Sequence, residues 1–200
     1  YFVSEKDNGQ ANALNKGFAQ TTGDICAYLN SDDIYLDNIF WKVSEAYLQK
    51  KFKWISTDIL IGYSREDSII WKAKIRSFEQ FCVEQTIGQQ GVFWENNCFK
   101  KPWFDENLQY VLDHKFFISL YKEFGPPKLL HESGSFFRLH RNSKTLNFED
   151  ILFKERKLIT LQEANSSNNN YQKRNIILEM KRFDLKIELN KKFSTLNKTK

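Results

Sequence analysis

The sequence predicts an α/β domain, a sheet flanked by helices, with a helical tail behind it. An unbroken apolar run, Ile25-Cys26-Ala27-Tyr28-Leu29, stops abruptly at Asn30, Asp32 and Asp33. A run without alternation suits a central strand of a parallel sheet covered on both faces. Ahead of it lie a short apolar stretch and a helical pattern, a strand-helix-strand unit the size of a parallel crossover. Beyond Phe148 the pattern changes to two helical segments joined by a polar linker.

In order, Tyr1 to Ser4 is expected to be a strand entering the turn-rich loop Ser4 to Gly9. A helix follows, with Ala11, Leu14, Asn15 and Phe18 at helical spacing and Gly23 placed to end it. After the Ile25 to Leu29 strand, Asp37 can cap a helix that turns Ile39, Phe40, Val43 and Tyr47 inward. Trp54 to Leu60 and Ser68 to Ile75 read as a hairpin-like pair around a Gly62 to Glu66 turn. A short helix from Phe78 to Glu84 precedes a strand over Gln89 to Trp94. One or two helical turns are expected from Glu95 to Lys101, stopped by Pro102. Leu112 to Phe124 is an amphipathic helix with Phe116, Phe117, Leu120 and Phe124 inward, broken by Gly125-Pro126-Pro127. Strands are expected over Lys128 to His131 and Ser135 to Leu139, then helices over 149–163 and 171–192 separated by Ala-Asn-Ser-Ser-Asn-Asn-Asn. The expected division is a domain over 1–148 and a basic helical tail over 149–200.

Composition bounds the function without choosing it. Apolar residues at 41% and charged residues at 28% are ordinary for a soluble globular chain. The 16% aromatic content can fill a core or line a sugar-binding cleft. No apolar run approaches the ~20 residues that cross a bilayer, and no leader opens the chain, so a cytoplasmic protein is expected. Because it begins at Tyr1 within an expected strand, a piece of something longer is expected. Cys26, Cys82 and Cys98 show no metal or disulfide spacing and read as buried thiols. The net charge of +5 lies wholly in the tail, where 12 Lys and Arg face 7 Asp and Glu. Those basic residues lack Gly-rich or aromatic recognition motifs, so no nucleic-acid partner is expected. Tyr171, Ile176, Ile177, Met180 and Leu185 form a stripe that suits packing on the domain, self-association or peripheral contact with the inner membrane face.

Two adjacent carboxylates repel unless a cation or hydrogen-bond donors neutralise them. Asp32 and Asp33 therefore suit a hard divalent metal carrying phosphate oxygens, or a polar turn before the next helix. The stretch from Ser4 to Phe18, with its Ser4-Glu5-Lys6-Asp7-Asn8-Gly9 loop and Asn15-Lys16-Gly17 helix, then Thr22-Gly23-Asp24 and Leu29-Asn30-Ser31-Asp32-Asp33, together resemble the donor-site half of the family 2 inverting glycosyltransferases. Gln90-Gly91-Val92-Phe93-Trp94, Phe104-Asp105-Glu106, Asp113 and Arg138 to Lys144 are similar to that family's later landmarks in the same order, so the resemblance covers about residues 1–145.

The resemblance implies a GT-A-like, Rossmann-like mixed sheet, and an enzyme moving a sugar from a nucleotide-sugar donor to an acceptor hydroxyl with inversion, in bacterial-type polysaccharide or glycan synthesis. A non-catalytic sugar-nucleotide or glycan-binding remnant is the alternative. It implies Mn2+ or Mg2+ as cofactor, with Asp33 and His140 on the metal, Asp7, Lys16 and Asn30 on the donor, and Asp32 on the donor's ribose or the metal. Asp113 would be the base that deprotonates a glycan or lipid-linked acceptor, with Asp105 and Glu106 as rivals. Arg138, Arg141 and Lys144 would add positive charge beside His140. The chain departs from the family in three places. The strand, helix and strand that hold the base are missing ahead of Tyr1, Asn30 replaces the first acid of Asp-x-Asp, and His114 follows Asp113 where another acid is usual. From the residues alone, Asp7 equally forms a turn, Asp113 equally caps its helix, and Trp94 and Trp103 are either sugar platforms or core.

Overall fold

The computed structural model describes residues 4–50, 52–141, 143 and 149–198. The strand expected at the N-terminus lies, except for Ser4, outside those residues, as do Asn142 and Lys144. The elements are α1 (Gln10–Ala19), β1 (Ile25–Cys26), β2 (Ile34–Tyr35), α2 (Ile39–Lys50), β3 (Trp54–Gly62), β4 (Ile69–Trp71), α3 (Phe78–Val83), a 3₁₀ turn (Gln89–Gly91), β5 (Val92–Glu95), α4 (Leu112–Phe124), β6 (Lys128–Arg138), α5 (Glu149–Ser166) and α6 (Asn170–Lys198).

The strands form one mixed sheet in the order β1-β5-β3-β6-β2, with β4 also paired to β3. The β3–β6 pair is parallel, with Ile55 opposite Lys128 and Gly62 opposite Arg138, and the other described pairs are antiparallel. The register slips on both sides of Asp58, whose buried carboxylate accepts the Ala73 amide at 2.8 Å. Gly134 sits beside this slip, and a Cβ there would run into the Thr57 side chain.

Several expected elements differ. Ile25 to Leu29 is not a central parallel strand: β1 is two residues long, ends the sheet path and pairs antiparallel with β5. Past Cys26 the Tyr28 carbonyl accepts the Gln89 amide at 2.7 Å, so a side chain replaces a strand neighbour. The two expected strands after Pro127 are one strand, β6, carried through by the irregular register. Residues 96–101 form turns rather than helix, the sheet edge at 68–75 is only Ile69–Trp71, and α5 runs on through Ser166 into the expected linker. Asn38 at φ 64°, rather than Asp37, immediately precedes α2. Phe40 is 60% exposed, its ring lying edge-on to Tyr35 and Phe93, while Ile39, Val43 and Ala46 face inward.

The aromatic residues build the core. Trp94 is fully buried and Trp103 nearly so, and with Phe18, Phe104 and Phe116 they form a cluster whose ring centroids lie 4.9–5.9 Å apart for Phe18–Trp103, Trp94–Phe116, Phe104–Phe116 and Trp103–Phe116. Both Trp residues are therefore core, not sugar platforms. α4 spans the residues expected of it and turns Phe116, Phe117 and Leu120 into this cluster, and Gly125 at φ 80° ends it. Ile159 and Ala164 of α5 and Ile176 of α6 join the same cluster. Of the expected tail stripe, Ile176 is buried while Tyr171 and Leu185 are exposed. Among the described residues no helix is long and apolar enough to cross a membrane.

Candidate active site

Asp32 and Asp33 are neighbours with opposite surroundings. A turn closed by the Asp33 amide on the Asn30 carbonyl (3.1 Å) points the Asp33 carboxylate inward, where only 7% of the residue is exposed. Its Oδ1 accepts the Arg138 amide at 3.1 Å, and its Oδ2 accepts Gln90 Nε2 at 2.9 Å and Asn30 Nδ2 at 3.4 Å. Burial raises its pKa above the ordinary carboxyl value, against the lowering by these donors. Asp32 stays about one-third exposed and meets His140 Nε2 at 2.8 Å. The His140 loop is closed on itself, its amide donating to Ser143 Oγ and its carbonyl accepting the Ser143 amide.

Side-chain amides extend this constellation. Gln10 Nε2 donates to Asn30 Oδ1 at 3.0 Å, linking the start of α1 to the loop after β1. Gln89 stands near both, accepting from Asn30 at 3.5 Å while it donates to Tyr28. Of these glutamines, Gln10 and Gln90 fall within the stretches that carry the family resemblance, and Gln89 is an addition. Its signal was the Gln89-Gln90 pair entering a buried strand, because a fully polar pair there must find partners inside.

A cleft of about 240 Å³ opens here, lined by Gln10, Asn30, Gln89 and Gln90 on one wall and by Asp113, Tyr110 and Arg156 on the other. Asp113 stands in the first turn of α4. Its Oδ2 accepts Gln85 Nε2 at 2.9 Å, and its Oδ1 accepts the His114 amide at 2.8 Å. Burial pushes its pKa above the usual range, opposed first by the Gln85 bond and then by the His114 amide. A helix start favours the ionised form of a carboxyl group, and at Asp113 desolvation outweighs that preference.

His114 points away from the cleft and is fully buried. Its Nε2 lies 2.6 Å from the Phe81 carbonyl, which makes Nε2 the protonated nitrogen, and Nδ1 has no partner among the described residues. Burial lowers its pKa to about 3. The unusual residue after Asp113 is thus a core residue and leaves the carboxylate side of the helix free.

The other predicted residues are placed less centrally. Asp7 Oδ1 accepts the Gly9 amide at 2.8 Å, a turn that leads into α1 with Gly9 at φ 111°. Lys16 reaches back to Glu5 at 2.7 Å and to the Lys6 carbonyl, tying that loop to α1. Glu106 accepts from Asn12 and Asn15, and Asp105 accepts the Asn107 amide, so both rivals of Asp113 hold local structure and neither lines the cleft.

The second wall depends on residues that the motifs do not reach. Glu155 of α5 accepts the amides of Gln109 (2.9 Å), Tyr110 (2.8 Å) and Val111 (3.2 Å), immediately before α4. Glu163 of α5 pairs with Lys115 and Lys122 of α4, each at 3.0 Å. These contacts bridge about 40 residues of sequence and leave no local signature.

Among the described residues no group of three or more His, Cys, Asp or Glu side chains could hold a metal ion. Asp33 is filled by protein donors and fits the role of positioning Asn30 and the Arg138 backbone. Asp32 and His140 offer one oxygen and one nitrogen side by side, a pair that fits Mn2+ or Mg2+ only where diphosphate oxygens complete the shell.

The solved structures similar to this chain include the S. aureus TarS fragment 1-349 in complex with UDP-GlcNAc, at a TM-score of 0.66 and 14% identity over 89% of this chain and 53% of that one. The same fragment without that ligand gives 0.61 and 13% over 88% and 52%. This chain therefore spans about half the length of the TarS fragment, and the shared architecture is GT-A-like. No curated protein sequence matches it. The family model for glycosyl transferase family 2 matches residues 1–142, and the chain belongs to that family.

Proposed function

We propose that this chain is the catalytic part of an enzyme that transfers a sugar from a nucleotide-sugar donor to an acceptor hydroxyl with inversion, in the synthesis of a bacterial-type polysaccharide or other glycan. The observation that carries the reading is one cleft lined both by Asn30, at the strand end, and by Asp113, at the start of α4. The TarS fragment, solved with UDP-GlcNAc, supports a nucleoside diphosphate sugar as donor.

In one displacement the acceptor oxygen attacks the anomeric carbon while Asp113 takes the hydroxyl proton. The bond from that carbon to the diphosphate breaks, and its electron pair leaves with the phosphate oxygen. A raised carboxyl pKa makes Asp113 a stronger base than a free aspartate, and Gln85 fixes its orientation. Asp32 and His140 would hold Mn2+ or Mg2+, whose charge offsets that of the leaving diphosphate. Asp33 holds the Asn30 loop and the end of β6 in register with each other. A cytoplasmic site facing a glycan or lipid-linked acceptor at the membrane follows from this reading.

Asp113→Asn tests it in the full-length enzyme, because Asn keeps the shape and the Gln85 contact while removing basicity. Turnover should fall about 10²- to 10⁴-fold, with melting temperature and UDP affinity retained. Near-normal turnover would remove Asp113 as base. A wild-type protein that binds UDP-sugar without turnover would favour the binding remnant.

A further inference from the structure

We propose that the groove running from Asp113 past Trp71 binds an acidic glycan chain, so that the acceptor is a polyanion. This rests on the transferase reading and names its second substrate. Trp71 and Gln85 line both the Asp113 cleft and a second cavity of about 430 Å³, so the two concavities adjoin across these side chains. The charged residues that line that cavity are four cations, Lys72, Lys74, Arg76 and Lys186, and one acid, Glu84. The side chains of Lys72, Lys74 and Arg76 form no ion pair with any described acid, and Lys186 meets Glu84 at 3.3 Å. An exposed pair of that kind gives way readily to a ligand.

Arg156 is the cation closest to the proposed chemistry. It reaches the Asp113 cleft from α5, with its guanidinium carbon 5.5 Å from the centre of the Phe183 ring and 6.0 Å from that of Phe153. Its guanidinium feels the Asp113 and Glu84 carboxylates, yet its Nε is buried and has no hydrogen-bond partner among the described residues. A desolvated donor left unpaired is costly, and a bound carboxylate or phosphate would satisfy it. Trp71 stands between Arg156 and the lysines, partly exposed, with an indole face on which a sugar ring can stack. Cations along the walls of a concavity that leads to a carboxylate fit a threaded chain. A flat lipid surface would meet only the rim. Arg156 and Lys186 both lie beyond the residues matched by the family model, so the helical hairpin supplies part of this selectivity.

Calorimetry on the whole protein tests the assignment with hexagalacturonate, uncharged maltohexaose and phosphatidylglycerol vesicles. Hexagalacturonate should bind at least about tenfold more tightly than maltohexaose. Arg156→Gln and the double variant Lys72→Ala/Lys74→Ala should each weaken it about tenfold, with Arg156→Lys recovering part of the loss. UDP should not displace it. Equal affinity for the neutral chain, indifference to both variants, or displacement by UDP would overturn the proposal. Vesicle binding that depends on Lys72 and Lys74, without hexagalacturonate binding, would overturn it in favour of a membrane. The two lysines are exposed, so the double variant decides the matter even if Arg156→Gln does not fold. All of these are binding measurements, so their failure is separate from any failure of Asp113 as base.

Discussion

The two ends of the cleft are held by different means. At the Asn30 end, short-range turns and a web of carboxylate and amide side chains fix the geometry, and most of its members lie in or beside the family motifs. At the Asp113 end, the start of α4 is held by α5, through Glu155 on three backbone amides and Arg156 on the cleft wall. Both ends rest on contacts across the chain, Gln90 and the Arg138 amide on Asp33 at the first and Glu155 at the second, but only the second draws on a residue beyond the family match. The Asn30 side of such a cleft can therefore stay constant while the Asp113 side is rebuilt from a different tail.

The sharpest way to break this comparison is to exchange the fates of Asp32 and Asp33. Asp33→Ala should cost about 2 to 4 kcal/mol in urea unfolding, because it strips the acceptor from Gln90, Asn30 and the Arg138 amide inside the protein. Asp32→Ala should leave the urea midpoint almost unchanged and lower UDP affinity in Mn2+ instead. If Asp33→Ala unfolds like wild type, the web at the Asn30 end is not structural.

The Asp113 end should show itself through pH. His114 is neutral in the fold, with a pKa lowered from 6.5 to about 3, so between those values the unfolded chain binds the proton and the folded one does not. Stability from this group is therefore complete above pH 6.5 and falls as the pH drops toward 3, by about 2 to 3 kcal/mol at pH 4.5. His114→Gln keeps a donor for the Phe81 carbonyl and should lose that part of the acid sensitivity, read from urea midpoints at pH 7 and 4.5. An unchanged difference between the two pH values would mean that His114 is protonated in the fold.

The smallest effect belongs to Lys16, whose contact with Glu5 is exposed on both sides. Lys16→Ala should shift stability by no more than about 0.5 kcal/mol. A large loss of UDP affinity in this variant would place Lys16 on the donor despite its surface position.

What the sequence disclosed follows the same division. The α4 boundaries, the inward Phe face and the Asp-Asp turn were legible because periodicity and local hydrogen bonding decide them. The length of β1 was not, since a side-chain amide from Gln89 ends its ladder and apolar runs do not record that. Phe40 was expected inward from its spacing, but it lies at the margin of the helix face and rests edge-on against other rings. Glu155 and Arg156 read as ordinary charges of a solvated helix until the fold sets them against residues 109–113. Amide side chains such as Gln85 and Gln10 carry no spacing code, because one glutamine can reach any backbone or carboxyl group within its length.

The Glu155 contact also has a consequence in time. A chain grows from its N-terminus, and domains begin to fold as they emerge. The amides of Gln109, Tyr110 and Val111 leave the ribosome more than 40 residues ahead of the carboxylate that receives them. Until α5 arrives, water must satisfy those three groups, and the segment carrying Asp113 lacks its final anchor. The nascent protein thus closes the Asn30 side of the cleft first and fixes the Asp113 side last, once α5 has docked.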